Sequence, residues 1–111
     1  MKYLRLLATI ETAMGAYTVQ ELAKALAAVG SEERLRILSL LLKNPRLGCG
    51  DLANCLGLSQ PAVSYHLRVL EAARLISKVR DGRRRCISLT PKLTLILNEG
   101  VIRWLREEEV S

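Results

Sequence analysis

One histidine and three cysteines in 111 residues exclude several functions at the outset. Catalysis needs acids, bases or nucleophiles gathered in one place. Here the acids fall at helix starts, in a turn and in the tail Glu107-Glu108-Glu109, with His66 alone. No glycine-rich loop of the phosphate-cradling type is present. No second His or acid lies three or four residues from His66, so a histidine metal site lacks partners. An odd number of cysteines without paired spacing gives no disulfide framework and fits a reducing, cytoplasmic setting. No apolar run approaches the roughly 18 residues that a membrane span needs. The start, MKYLRLLATIE, is apolar in part, but Arg5 and Glu11 interrupt it, so a secretory leader is not expected. Repeats, low-complexity segments and linkers are missing too. What remains is room for one domain with a modest core.

That domain is basic. The net charge is +6 and the pI about 9.7, which suggests an acidic partner, nucleic acid or an anionic surface. The charge is concentrated. Between Arg74 and Lys92 stand seven basic residues and one acid, Asp81, an excess equal to that of the whole chain.

Apolar spacing divides the chain into elements. Tyr3, Leu7, Ile10 and Met14 recur at helical intervals in residues 1–17. Thr18 and Glu21 form a capping-box pattern for a helix that Gly30 closes at Val29. Ser31 caps the next, with Glu32 and Glu33 in its first turn, a buried stripe of Leu35, Leu38, Leu41 and Leu42, and a stop at Asn44-Pro45. A short helix is expected over Asp51 to Leu56, ended by Gly57, and another from Ser59 to about Ala73. Two strand-like runs flank Asp81-Gly82, a two-residue hairpin signal. Pro91 then opens a final helix with Leu93, Leu97, Val101, Trp104 and Leu105 on one side. The fold class expected is mainly α with a small β-hairpin.

The run DLANCLGLSQPAVSYHLRVL, residues 51–70, reads as two helices joined by Gly57-Leu58-Ser59, a helix-turn-helix whose second helix commonly enters the DNA major groove. On a helical projection Val63, Leu67 and Leu70 face inward. Pro61, Tyr65 and Arg68 face outward, with Gln60 and Ser64 beside them. Gln pairs in bidentate fashion with adenine, and Ser serves several bases. Ser59 and the backbone N–H groups at the helix start suit a phosphate. A hairpin carrying Arg80, Arg83, Arg84 and Arg85 next to such a helix is a wing, touching phosphates or the minor groove. His66, at the edge of the buried side, reads as a structural hydrogen-bonding residue. The reading of another class is a winged helix used as a protein-docking module, which an acidic second helix or an uncharged wing would favour.

Three stretches, ERLRILSLLL, DLANCLGLSQPAVSYHLRVLEAARLI and DGRRRCISLTP, resemble the arsenic-resistance-repressor (ArsR/SmtB) family of winged helix-turn-helix transcription regulators over about Ala23 to Leu93. The resemblance implies a homodimeric repressor of a nearby operon, with the first and last helices forming the dimer core and double-stranded DNA as partner. A symmetric dimer implies a palindromic operator with half-sites roughly 34 Å apart. The expected division is residues 1–17 as a dimer-supporting helix and 18–111 as the DNA-binding domain.

Two thiols lie in LGCGDLANC. Within one helix, positions 49 and 55 would differ by about 240° and roughly 9 Å of rise. Cys86 falls in the wing, so a three-thiolate site needs Cys49 outside the helix and the wing folded close. Members of the family that sense metals often carry Glu-Leu-Cys-Val-Cys-Asp-Leu, where this chain has Arg46-Leu47-Gly48-Cys49-Gly50-Asp51-Leu52. Both thiol positions are glycine, and residues 92–106 hold no His and one acid, Glu99. Three readings of Cys49, Cys55 and Cys86 stand: apolar fillers, a soft metal or metalloid site, or thiol redox sensing near the wing arginines. The first is expected, with no cofactor and no resident metal.

Overall fold

The computed structural model describes residues 18–108, so the expected leading helix over residues 1–17 lies outside the described residues. The order is α1 (Val19–Val29), α2 (Glu32–Lys43), α3 (Cys49–Leu56), α4 (Gln60–Ala72), β1 (Ile76–Asp81), β2 (Arg84–Leu89), α5 (Leu93–Ile96) and α6 (Glu99–Glu107). The Thr18 hydroxyl accepts from the Glu21 N–H at 3.1 Å while the Glu21 carboxylate accepts from the Thr18 N–H at 3.4 Å, closing the capping box expected for α1. The Ser31 hydroxyl accepts from the Arg34 N–H and starts α2.

Helix α2 is the centre of the domain. It packs against α1, α3, α4, α6 and β2. Cover on several sides changes which residues it buries. Ile37, Leu38 and Leu41 are inaccessible, whereas Leu35 and Leu42, expected in the buried stripe, are half-buried. Ser39 is buried as well, and its hydroxyl donates to the Leu105 carbonyl at 2.5 Å, fastening α6 to α2.

Three boundaries differ from the sequence reading. Helix α3 starts at Cys49 rather than Asp51, because the Asp51 carboxylate reaches back to the Gly48 N–H at 2.8 Å. Asp51 therefore sits inside the first turn. In the hairpin Asp81 pairs with Arg84, so the loop residues are Gly82 and Arg83, one position later than Asp81-Gly82. Gly82 takes φ 65°, which suits the first position of a tight hairpin loop. The last helix is two helices. Leu97 is extended and Asn98 caps α6, its side chain accepting from the Val101 N–H at 2.8 Å. A strong cap residue followed by Glu99 and Gly100 favours a new start over continuation. The break splits the expected apolar face: Leu93 and Leu105 join the core, and Val101 and Trp104 remain exposed.

Candidate nucleic-acid interface

Helices α3 and α4 form the helix-turn-helix. Gly57 adopts a left-handed φ of 65°, and the Leu58 N–H donates to the Ala53 carbonyl at 3.1 Å, which turns the chain sharply. Leu52 and Ala53 of α3 and Val63, Leu67 and Leu70 of α4 are buried together. That inward set fixes the outward one. Gln60, Pro61, Tyr65 and Arg68 are exposed and Ser64 is half-buried, on the face expected to meet base edges.

The start of α4 is less open than the sequence suggests. The Ser59 hydroxyl accepts from the Ala62 N–H at 3.2 Å, and the Val63 N–H donates to the Ser59 carbonyl. Pro61 has no N–H. The Ser59 and Gln60 N–H groups remain for an incoming phosphate, with the helix dipole behind them.

The far end of α4 leads into the wing almost without slack. Arg74 stands in the left-handed region at φ 61°, and the N–H groups of Arg74 and Leu75 bond back to the Glu71 and Leu70 carbonyls. This is a Schellman ending with arginine in the place usually held by glycine. The Arg74 guanidinium pairs with Glu21 of α1, and the Thr90 hydroxyl donates to the Arg74 carbonyl at 2.6 Å. Leu75 and Ile76 are buried, so the reading helix and the hairpin share one rigid corner.

The register of the hairpin places Arg80 directly opposite Arg85, with Lys78 on the same face. Arg80, Arg83 and Arg85 are exposed, and none forms an ion pair with a described acid. Like charges facing each other across a strand pair destabilise it, and a phosphate between them removes that cost. Arg84 differs. It lies on the opposite face, and its guanidinium is paired with Asp51 of α3. The backbone hydrogen bond from Gly48 and then the Arg84 charge hold the Asp51 carboxyl below its ordinary value.

Nothing in the sequence singles out Asp51 as a functional residue. A glycine three positions before an acid at a helix start is the only local sign of its capping role. Its arginine partner is 33 positions away in the chain, and no spacing rule connects them.

His66 does form a structural bridge. Its Nδ1 lies 3.2 Å from Nη1 of Arg34, whose Nε donates to the Ala28 carbonyl at 2.7 Å. Arginine can only donate, so Nδ1 accepts and the ring proton sits on Nε2. The bridge ties α4 to α2 and to the end of α1.

The thiols do not come together. Cys49 and Cys55 both lie within α3, Cys49 half-buried with its thiol directed at the Gln60 carbonyl at 3.8 Å. Cys86 is buried and faces the Arg46 carbonyl at 3.4 Å. Cys55 is exposed, against the expectation that all three fill apolar space, because it projects from the uncovered side of α3. Among the described residues no group of three His, Cys, Asp or Glu side chains could hold a metal ion.

A reading helix with a polar outer face, held rigidly beside a basic hairpin, defines a winged helix-turn-helix regulator that binds DNA. The chain belongs to the arsR family of bacterial regulatory proteins, whose model matches residues 31–78, from the cap of α2 into β1. It is 33% identical over 90 residues to the transcriptional repressor SmtB homolog of Synechocystis sp., covering 81% of this chain and 67% of that protein. It is 41% identical over 84 residues to the HTH-type transcriptional regulator Rv2034 of Mycobacterium tuberculosis, covering 75% of this chain and 78% of that one. The crystal structure of NolR from Sinorhizobium fredii superposes with a TM-score of 0.65 at 31% identity, over 80% of this chain and 88% of the other. The protein is accordingly a DNA-binding transcriptional regulator and not an enzyme. Among the described residues no helix is long and apolar enough to cross a membrane.

Proposed function

We propose that the protein is a homodimeric repressor that binds a palindromic operator in the cytoplasm. The observation that carries this reading is the exposed set Gln60, Tyr65 and Arg68 on α4, beside Arg80, Arg83 and Arg85 of the wing, which pair with no described acid. In this reading Gln60, Tyr65, Arg68 and Ser64 meet base edges, Ser64 in part through water, and Ser59 and Pro61 sit against the backbone. Arg80, Arg83 and Arg85 hold phosphates. Arg84 stands apart from them because its guanidinium is committed to Asp51.

Dimerisation is supported by apolar residues left uncovered on the helices at the two ends of the domain. Val19 and Leu26 of α1 are exposed, as are Val101 and Trp104 of α6. Large apolar side chains exposed on two helices are what an association surface would cover.

Binding titrations separate reading from anchoring. Gln60→Ala or Tyr65→Ala costs on the order of 1–3 kcal/mol on the operator and little on a duplex of arbitrary sequence. Arg83→Ala or Arg85→Ala weakens both and lowers the salt slope by about 0.9 for each phosphate that is no longer neutralised. Wing substitutions that change neither affinity nor slope on arbitrary duplex would show that the wing does not touch DNA.

A further inference from the structure

Nine consecutive residues of the hairpin, 77–85, are exposed. A two-stranded ribbon is marginal when nothing else holds it. Its base is fixed by Ile76 and Ile87 in the core, against α4 and α2, and beyond the base it meets the short segment before and at the start of α3. The Ile87 N–H donates to the Leu47 carbonyl at 2.9 Å, and the Cys86 thiol faces the Arg46 carbonyl. Arg46 lies 3.8 Å from Asp81. A Cβ at Gly48 would come within 2.9 Å of the Arg85 carbonyl, so the two backbones approach closely there. Among the described residues, one charge pair joins the hairpin to the helix-turn-helix itself. Oδ2 of Asp51 accepts from the Gly48 N–H at 2.8 Å and also takes Nη2 of Arg84.

We infer that Asp51 is a positioning residue for DNA binding, a strut that sets the angle of the wing against the reading helix by holding Arg84. The inference rests on the reading of the wing as a phosphate contact. The assignment is counterintuitive. An acid beside a DNA-binding surface repels phosphate, and removing it ordinarily tightens binding. If Asp51 instead orients three phosphate-holding arginines, removing it loosens binding. Arg84, likewise, is a brace and not a phosphate contact, so its removal leaves the number of counterions released on binding unchanged.

The two assignments differ in sign, and titration of a duplex of arbitrary sequence at several salt concentrations tells them apart. Asp51→Asn keeps an oxygen for the Gly48 N–H and loses only the charge. It weakens binding about two- to fivefold, the range of a partly exposed ion pair. Asp51→Glu restores the charge at a helix position where glutamate also caps, and keeps parental affinity. Arg84→Ala weakens binding by the same factor with an unchanged salt slope. The double variant is no worse than either single one, as expected of partners in one interaction. Hydrogen exchange at the Ile87 amide quickens in Asp51→Asn and Arg84→Ala, a readout independent of DNA. Tighter binding by Asp51→Asn, or a slope about 0.9 lower in Arg84→Ala, would overturn the inference and make Arg84 a phosphate contact that Asp51 competes for. Failure of these variants while Arg83→Ala and Arg85→Ala still cost affinity removes the strut alone. Indifference of all four removes the wing reading, and the strut with it.

Discussion

Arg74 shows how much one residue can be asked to carry. It closes α4 in a left-handed conformation, which costs an L-residue with a Cβ roughly 1–2 kcal/mol. The Glu21 ion pair, about half exposed on both sides, returns about 0–1 kcal/mol. Arg74→Gly therefore leaves stability unchanged or slightly higher, since relief of strain offsets the lost pair. Arg74→Ile keeps the strain, adds a β-branch that the left-handed region rejects, and costs about 1–3 kcal/mol more. Urea midpoints of the two variants check this, and equal midpoints would contradict it. Nothing along the chain hints at this turn, because the usual sign is a glycine and none stands there.

Among the elements, the contact of the wing with α3 depends on a charge, and so on acid. Asp51 titrates below its ordinary value of 3.8 because the Gly48 N–H and then Arg84 favour the carboxylate. A carboxyl lowered in the folded state stabilises it above the unfolded value, and that contribution disappears as pH falls through the folded one. Thermal melts of the parent and of Asp51→Asn should differ at pH 5 to 7. They converge below about pH 3.8 as Asp51 takes its proton. A gap that persists at low pH would mean that the carboxylate charge is not what Asp51 contributes. The same level of structure explains the divided last helix. Periodicity places Leu93, Leu97, Val101, Trp104 and Leu105 on one side only if the run is unbroken. Asn98 is a stronger cap than it is a helix interior residue, so the chain restarts there and α6 turns to dock Leu105 against Ser39.

For the whole molecule, the proposed dimer is assigned to the exposed apolar residues of α1 and α6. Trp104 is 59% exposed, an unusual state for the largest apolar side chain in the protein. Trp104→Glu makes no change to the buried core and places charge on that surface. Sedimentation is expected to show a monomer with native helix content. Its affinity for the operator falls far more than its affinity for arbitrary duplex, since a palindrome needs two reading helices. A dimer that survives the substitution would move the interface elsewhere.

Local chemistry was enough to set α1, α2 and α4, because their limits are written in neighbouring residues: Thr18 with Glu21, Ser31, and Ser59 beside Pro61. The inward trio Val63, Leu67 and Leu70 was equally legible, since helical periodicity alone selects it, and with it the outward face of α4. The resemblance to a regulator family was carried by the order of those same segments. Contacts between distant parts were not legible. The pairing of Asp51 with Arg84, the bridge from Arg34 to His66, and the burial of Ile37 in place of Leu35 depend on which surfaces meet across the fold. An ion pair spanning 33 positions leaves no period in a sequence. Four wing arginines therefore look alike along the chain, and only the tertiary structure separates the three that pair with no described acid from the one that holds Asp51.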